Sequence, residues 1–360
     1  MNTAEIFFYS PHFPDDLANL PESVNESWDW FYDVGRPKLD ITDGEYAWIF
    51  QTYIYLKSRG FNCTATRVMP TNGIVFVHRN FLPFLQLPER DQLFVCVQAD
   101  KAPHPFSQAS VVLTEAGRYL RWAHRMSFTN PPVLWRQRKP YRNRFYIKHW
   151  PVPNLKPRDP ARGSTVKNVA YMGVAHSLAP ELQTEAWRDA LERSGFSWIW
   201  KKGWSRSDWT DFSEIDVIVA VRSFETQKHE WASKPPTKLF NAWLAGAIPI
   251  IGSEASVREV GNPGVDYIEV NSEPEVLAAL ERLRDDKDFR AKLLAAGREK
   301  AREISVDAIC SDWMELVARL QNEHKRWSQQ SAVFRGAFYL RSCFRIAFDK
   351  IFHTISHRRK

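Results

Sequence analysis

The sequence predicts an α/β protein of two domains, each built on a parallel sheet, followed by a C-terminal amphipathic helix. The chain has 360 residues, more than one small domain needs. Short β-branched or aromatic runs alternate with helical patterns, as in parallel-sheet proteins. Between about 131 and 163 the chain collects Pro131, Pro132, Pro140, Pro151, Pro153, Pro157 and Pro160, which separates two such blocks.

In the first block, IFFY at 6–9, GIVFVH at 73–78, LFVCV at 93–97 and SVVLT at 110–114 read as buried strands bounded by turn residues. A helix is expected over 44–59. Thr42 and Glu45 have capping-box spacing, Ile49, Phe50, Tyr53, Ile54 and Leu56 recur at helical spacing, and Gly60 ends the run. About 35 residues separate the first strand from this helix without an assigned element. The second block opens with a strand at 166–173 that ends on Gly173. It continues through a helix at 181–194, strands at 196–200 and 216–221, a short helix closed by Gly246, the strand IPIIG, and a strand at 265–270. Two helices rich in Ala, Leu, Glu and Arg fill 273–303. The expected domains are 1–150, a proline-rich linker at 151–164, 165–306, a helix at 307–328 crossing back to the first domain, and a tail at 329–360.

Hydrophobic residues are 44% and charged residues 25% of the chain, which excludes a largely disordered, collagenous or coiled-coil protein. The longest nearly uncharged apolar run, Leu239 to Gly252, contains Asn241 and Pro249 and is too short to span a bilayer. The N-terminus has no basic region before its apolar residues, unlike a secretory signal. Cys63, Cys96, Cys310 and Cys343 lie far apart without CxxC pairing, so neither a zinc site nor a disulfide framework is expected, and a cytoplasmic location is. The net charge of +7 is unevenly placed. From His324 onward, Lys325, Arg326, Arg335, Arg341, Arg345, Lys350, Arg358, Arg359 and Lys360 face one acid, Asp349, so the body before them is near neutral. That distribution argues for a tail meeting an anionic surface and against a nucleic-acid channel.

The segment SKPPTKLFNAWLAGAIPIIGSE, residues 233–254, carries the chemistry. Ser233 is a candidate cap, Pro235 or Pro236 suits the first helical turn, and Gly246 ends the helix. With IPIIG following, the helix N-terminus belongs at the C-terminal edge of a parallel sheet, where open α/β folds bind ligands. Lys234, Thr237 and Lys238 stand at that end. Free amides, a helix dipole and lysine charge there form an anion site suited to a diphosphate; the plainer alternative is a capped surface helix with solvated lysines. Arg222, just after the strand DVIVAV, faces the same edge as a candidate phosphate ligand, with an interdomain salt bridge as its alternative. Gly173 lets the backbone approach a ligand, and Trp200 and Trp204 are candidates for stacking on a base or sugar.

The phrase KPPTKLFNAWLAGAIPIIG resembles the nucleotide-sugar segment of glycosyltransferases with two facing Rossmann-like domains, the GT-B architecture. It is similar to both the bacterial family-4-like enzymes and the α-1,3-fucosyltransferases. In the fucosyltransferases a similar lysine-led helix ends in an alanine-glycine turn before a proline-containing strand, and the lysine grips the donor diphosphate; Lys238 occupies that position here. Thr237 stands where the fucosyltransferases have Glu, and Asn241 where family-4 enzymes have Glu, so both enter as candidate donor contacts. The resemblance is specific over about 165–305. It implies a hexosyltransferase moving sugar from a nucleotide-diphosphate donor to a hydroxyl of a glycan or lipid-linked acceptor.

Such a transfer passes through an oxocarbenium-like state while the diphosphate departs with growing charge. Lys238, Arg222 and the helix N-terminus would stabilise that charge, so neither a metal nor another cofactor is expected. Consistent with that, Asp286 and Asp288 fall within a charged helical connection, not in an Asp-x-Asp after an apolar strand. An inverting enzyme also needs a base from the first domain, and the candidates are Asp43, Glu45, His78, Asp100 and His104. Asp43 and Glu45 read equally well as capping acids and His78 as structural. Motifs of serine hydrolases, zinc proteases and P-loop enzymes are missing from the sequence. The rival readings are a noncatalytic nucleotide-binding or scaffold protein of the same fold and a nucleic-acid binder.

In the tail, Val333, Ala337, Leu340, Phe344, Phe348, Ile351 and Ile355 form a near-heptad stripe over 331–356, with Arg335, Arg341, Arg345 and Lys350 largely on the other side. A basic amphipathic helix with phenylalanines suits an anionic membrane surface, so a peripheral position at the inner face of the membrane is expected; a helix packed on the body or a dimer seam is the alternative. Arg136, Arg138, Lys139, Arg142 and Arg144 are candidates to extend that basic face, with a solvated loop as the more ordinary reading.

Overall fold

The computed structural model describes residues 3–15, 20–83, 85–97, 103–122, 133–203, 205–225 and 231–357. The chain forms two compact units, Met1–Lys148 together with Ile309–Lys360, and His149–Ala308.

The sheet of unit 1 runs through β1 (Ile6–Tyr9), β2 (Thr64–Thr66), β3 (Gly73–His78), β4 (Gln92–Val97), β5 (Ala109–Val112) and β8 (Arg144–Tyr146) in the order β2-β1-β3-β4-β5-β8. All neighbours pair in parallel. The short antiparallel pair β6 (Leu120–Trp122) and β7 (Val133–Arg136) stands outside it. Strands β3 and β4 are buried at every position, which is why their sequences are continuous apolar runs rather than alternating ones.

The unassigned stretch after β1 contains α1 (Val24–Trp30), a π-helical turn at Phe31–Gly35 and α2 (Arg36–Leu39). The helix expected over 44–59 is a continuous helical run in three pieces, α3 (Asp43–Glu45), a π segment at Tyr46–Phe50 and α4 (Gln51–Ser58). Thr42 accepts from the Glu45 amide at 3.2 Å, as the capping-box spacing anticipates, and Gly60 takes a left-handed φ of 74°.

Unit 2 has β9 (Asn168–Met172), α5 (Glu185–Arg193), β10 (Ser197–Lys201), α6 (Ser207–Thr210), β11 (Val217–Ala220), α7 (Thr237–Ala245), β12 (Ile248–Gly252), α8 (Ala255–Arg258), β13 (Ile268–Val270), α9 (Glu273–Asp285) and α10 (Lys287–Glu303). Its strands are all parallel in the order β10-β9-β11-β12-β13. Alternation along the strands sends Val169, Val217, Val219 and Ile250 to one face, against Trp187 and Leu191 of α5 and Leu280 of α9. Ala170, Ile218, Ala220 and Ile251 go to the other, against Leu239, Phe240 and Trp243 of α7. Both units are therefore doubly wound parallel sheets, with the chain reversing between first and third strands. In such sheets ligands bind beyond the carboxyl ends of the strands at that reversal.

The proline-rich segment at 151–164 differs from the expected free linker, because it is bonded into unit 2. The amides of Lys156, Arg158 and Asp159 donate to Thr210, Ala245 and Ser213 carbonyls at 2.8, 2.9 and 2.9 Å. Arg158 and Arg162 both bind the buried Asp216 carboxylate, at 2.8 and 2.7 Å, and that carboxylate also accepts from the amides of Lys167 and Asn168. Prolines remove donors from an irregular segment, and most of the amides that remain are paired.

Helix α11 (Val306–Ser328) brings the chain back to unit 1, where Trp313 meets Phe76 edge-on at 5.6 Å and Gln321 exchanges two hydrogen bonds with the Ala4 backbone. Helix α12 (Ala332–His357) follows and docks on the same unit: Ser342 donates to the Pro105 carbonyl at 2.8 Å, and Phe338 packs edge-on against Trp327. The proposed extension of a basic face fails at Arg144. Its guanidinium is buried, donates to the carbonyls of Gly117 and Leu120, and lies 3.8 Å over the Tyr141 ring, so its charge is spent on local structure. The four cysteines are unbridged, and Cys63, Cys96 and Cys310 are buried.

Candidate functional site

In unit 2 the loops after β9 and β11 and the start of α7 converge at the carboxyl edge of the sheet. Gly173 leaves β9 with a φ of 151°, and a Cβ there would stand 2.8 Å from the Tyr171 hydroxyl and 3.3 Å from Lys238 Cε. Only glycine allows that close approach. Trp200, expected as a stacking platform, instead donates its indole N–H to the Gly173 carbonyl at 2.9 Å and packs edge-on to Tyr171, so it holds the turn in place. Trp204 lies outside the described residues.

Helix α7 begins differently from the expected Ser233 cap. Pro236 is the N-cap and no side chain caps the helix, so the first-turn amides point outward beside Thr237 and Lys238. Lys238 places its ammonium 5.5 Å over the Tyr171 ring. Burial, and then the charges of Arg222 and Lys234, pull its pKa down to about 7, while Glu254 works in the opposite direction. Arg222 sits where the strand register places it, but it is paired within the unit: its Nε lies 3.2 Å from the Glu254 carboxylate, which follows β12. The interdomain bridge considered for it is thereby replaced by a local one. Arg222 also stacks 5.8 Å from the Trp231 ring. Arg222, Glu254, Pro235, Pro236 and Lys238 border a cavity of about 20 Å³, room for one water. An anion of diphosphate size therefore fits on this surface, over the amides and cations, and not inside it. Asn241 accepts from the Val152 amide at 3.3 Å, tying the 151–164 segment to α7. Lys234 closes a backbone turn onto Trp231 and adds its charge to the group.

Unit 1 holds a second cluster at the corresponding edge of its own sheet, where the chain reverses between β1 and β3. Just beyond β1, the backbone turn Ser10–Pro11–His12 lets the His12 amide donate to Ser10 Oγ at 2.9 Å. The side chains of Ser10 and His12 both reach Glu45, whose carboxylate is wholly buried; His12 Nδ1 is 3.0 Å from Oε2, and the Ser10 hydroxyl donates to Oε1. Burial raises the Glu45 pKa above the ordinary carboxylate value, while hydrogen bonds from Ser10, His12 and the Thr42 backbone favour its charge. A carboxylate facing Nδ1 places the ring proton there, which leaves the Nε2 lone pair as the basic nitrogen. His12 is about one-quarter exposed, so this ring is open to solvent at an edge where Glu45 is sealed.

The other base candidates make different contacts. Asp43 pairs with Arg36 at 3.2 Å at the head of α3 and serves the helix terminus. His78 is buried at the end of β3, its ring 5.8 Å from Phe81. His104 is buried, and desolvation followed by the neighbouring Arg79 charge lowers its pKa to about 3, so it stays neutral and enclosed. Asp100 lies outside the described residues. Asp286 caps α10 by accepting from the Phe289 amide at 2.9 Å, consistent with a structural role. Sequence reasoning missed His12 because it follows its strand within YSPHFP without any motif. The available signal was a histidine three residues beyond the first strand.

No protein-family model and no curated protein matches the chain. Among solved structures it is similar to HepE of Anabaena in complex with UDP and glucose, at 10% identity over 88% of this chain and 100% of that one, with a TM-score of 0.47. It is also similar to AviGT4, a glycosyltransferase involved in avilamycin A biosynthesis, at 14% identity over 79% and 91% of the chains, TM-score 0.46. The pneumococcal O-GlcNAc transferase GtfA, in complex with UDP and GlcNAc, gives 11% identity over 76% and 60%, TM-score 0.45. Likenesses at this level carry no weight for the chemistry below.

Proposed function

We propose that the protein is a glycosyltransferase that moves a hexosyl group from a nucleotide-diphosphate donor to a hydroxyl of a glycan or lipid-linked acceptor without a catalytic metal. The observation that carries the reading is the cationic edge of unit 2: Lys238, Arg222 and the uncapped start of α7 gathered beside Gly173 at the sheet reversal. There the leaving diphosphate would receive amide hydrogen bonds from the first turn of α7 and charge from Lys238, with Thr237 and Lys234 beside it and Asn241 one turn further along. As negative charge grows on the leaving oxygen, a lysine poised near neutrality takes its proton fully, which is the electrostatic role a divalent cation would otherwise fill. Arg222 joins in as the anion competes with Glu254 for its guanidinium.

In unit 1, His12 is the group suited to remove the acceptor proton. Glu45 fixes its tautomer and stabilises the imidazolium that forms, as a buried carboxylate does behind a catalytic histidine. Deprotonation of an attacking hydroxyl by a base separate from the leaving group is the requirement of an inverting reaction, so inversion at the anomeric carbon is part of the proposal. The acceptor is proposed to be met at an anionic membrane surface through residues 331–360, at the inner face of the membrane.

The test is a thermal-shift panel of UDP, GDP, CDP, ADP and dTDP in EDTA on the full chain and on Lys238→Ala. A ligand at about 100 times its dissociation constant adds about 2.7 kcal/mol of stability, which such a scan resolves. One diphosphate stabilising the parent and not the variant supports the donor site. With that base in hand, His12→Gln is expected to keep the shift yet lose glycosyl transfer by about 100-fold or more. A panel without any shift would leave the noncatalytic scaffold as the better reading.

A further inference from the structure

The apolar stripe of α12 faces away from the body that carries it. Ser342 is buried against unit 1, with Phe338 and Tyr339 beside it, Tyr339 donating to the Leu85 carbonyl and packing 5.5 Å from Phe106. The opposite side presents Val333, Phe334, Leu340, Phe344 and Phe348, which are 82%, 52%, 56%, 71% and 59% exposed. Their spacing, with Ala337 and Ala347 also exposed between them, places them along one side of the helix. Large apolar side chains in a row on a surface are costly in water and mark a site that something covers. Arg341 lies exposed within the same side.

We propose that α12 is a monotopic membrane anchor, lying in the plane of an anionic bilayer surface with Val333, Leu340, Phe344 and Phe348 inserted among the acyl chains and Arg341 at the headgroups. The charge distribution selects lipid over another occupant. The charge of the whole chain is concentrated toward this end: the sequence after His324 holds nine basic residues and one acid, Asp349, against a near-neutral body, and of the nine Arg326 is paired just outside the stretch, with Glu323. A second copy on this face would bring two such tails together, whereas anionic headgroups complement them. No described helix is long and apolar enough to cross a membrane. The inference rests on and deepens the membrane position of the proposed function, while its readout does not depend on the transfer chemistry. It orients unit 1, the unit with the His12–Glu45 pair, against the lipid, because α12 is bonded to that unit.

The experiment is flotation of the full chain with vesicles of phosphatidylcholine alone or of equal parts phosphatidylcholine and phosphatidylglycerol. The parent should float with the anionic vesicles, stay behind with the neutral ones, and release at high salt as screening shortens the reach of its charges. Leu340→Ser/Phe344→Ser changes only exposed side chains and should lower vesicle partition about tenfold or more without altering the melting temperature. Equal flotation of parent and double variant would overturn the proposal. So would a concentration-dependent dimer in sedimentation that the double variant abolishes while the parent ignores both kinds of vesicle. Nucleotide-diphosphate binding by the same samples reads the donor site separately, so loss of one result leaves the other standing.

Discussion

At the scale of single residues, Lys238 carries the most specific expectation. It is held near a pKa of about 7 by burial and by the charges of Arg222 and Lys234, with Glu254 opposing them. An anion bound beside it favours the charged ammonium, so binding takes up a proton wherever the free protein has lost one. Affinity should therefore be flat below pH 7 and fall as pH rises through 7.5 to 9, by up to about tenfold per unit. Lys238→Arg, which keeps its charge over that range, should flatten the profile. Titration calorimetry in buffers of different ionisation heat measures the proton uptake directly; a parent profile as flat as that of the arginine variant would exclude Lys238 from the anion site. Glu45 shows why residue roles are harder to read than residue positions. Its spacing from Thr42 announces a helix cap, which it is, yet the same carboxylate also receives Ser10 and His12 from a strand end more than 30 residues earlier. Local pattern reveals the first role, and only the parallel pairing of β1 with β3 reveals the second.

At the scale of elements, the strands and helices of unit 2 were legible because each carries its own period and its own punctuation: Gly173 and Gly246 at ends, and buried apolar runs between. Legibility was lower where structure depends on distant partners. Helix α1 is short and its apolar residues are Val24 and two tryptophans, so it shows no clean period, and β2 and β8 are three residues each. The segment at 151–164 read as a linker from its prolines, whereas its place is set by Asp216, which collects Arg158, Arg162 and two amides at the opposite end of the sheet from the candidate site. These bonds hold the Asp216 pKa below the ordinary value even though burial pushes it up. Asp216→Ala would leave both guanidiniums and the amides of Lys167 and Asn168 without their shared acceptor. A loss of about 3 kcal/mol in denaturant unfolding is expected. Because the folded pKa is depressed, the contribution of Asp216 is present above pH 4 and disappears as pH falls through the folded value, so parent and variant should converge in strong acid. A variant as stable as the parent at pH 7 would mean that the segment is held by its backbone bonds alone.

At the scale of the whole molecule, acid should weaken the fold well before the carboxylates are titrated, and His104 is the reason. It is enclosed next to β4, its amide 3.4 Å from Cys96 Sγ and its Nδ1 accepting from the Phe106 amide, with the Arg79 charge near it. Its folded pKa of about 3 lies far below the unfolded value of about 6.5. Between those values the unfolded chain binds a proton that the folded chain refuses, so stability rises with pH across that window and is lost on the way down. His149 is displaced in the same direction by burial and adds to the slope. From pH 6 to pH 4, His104 alone should remove about 2 to 3 kcal/mol, at about 1.4 kcal/mol per unit. The melting temperature should therefore fall steadily over that range, and more shallowly in His104→Gln, an amide that cannot take up the proton. If the variant retains its fold at pH 7 and its slope equals that of the parent, the acid sensitivity of the molecule originates elsewhere. A fall in transfer rate over the same window therefore contains a contribution from lost stability, and His104→Gln is the background that removes it.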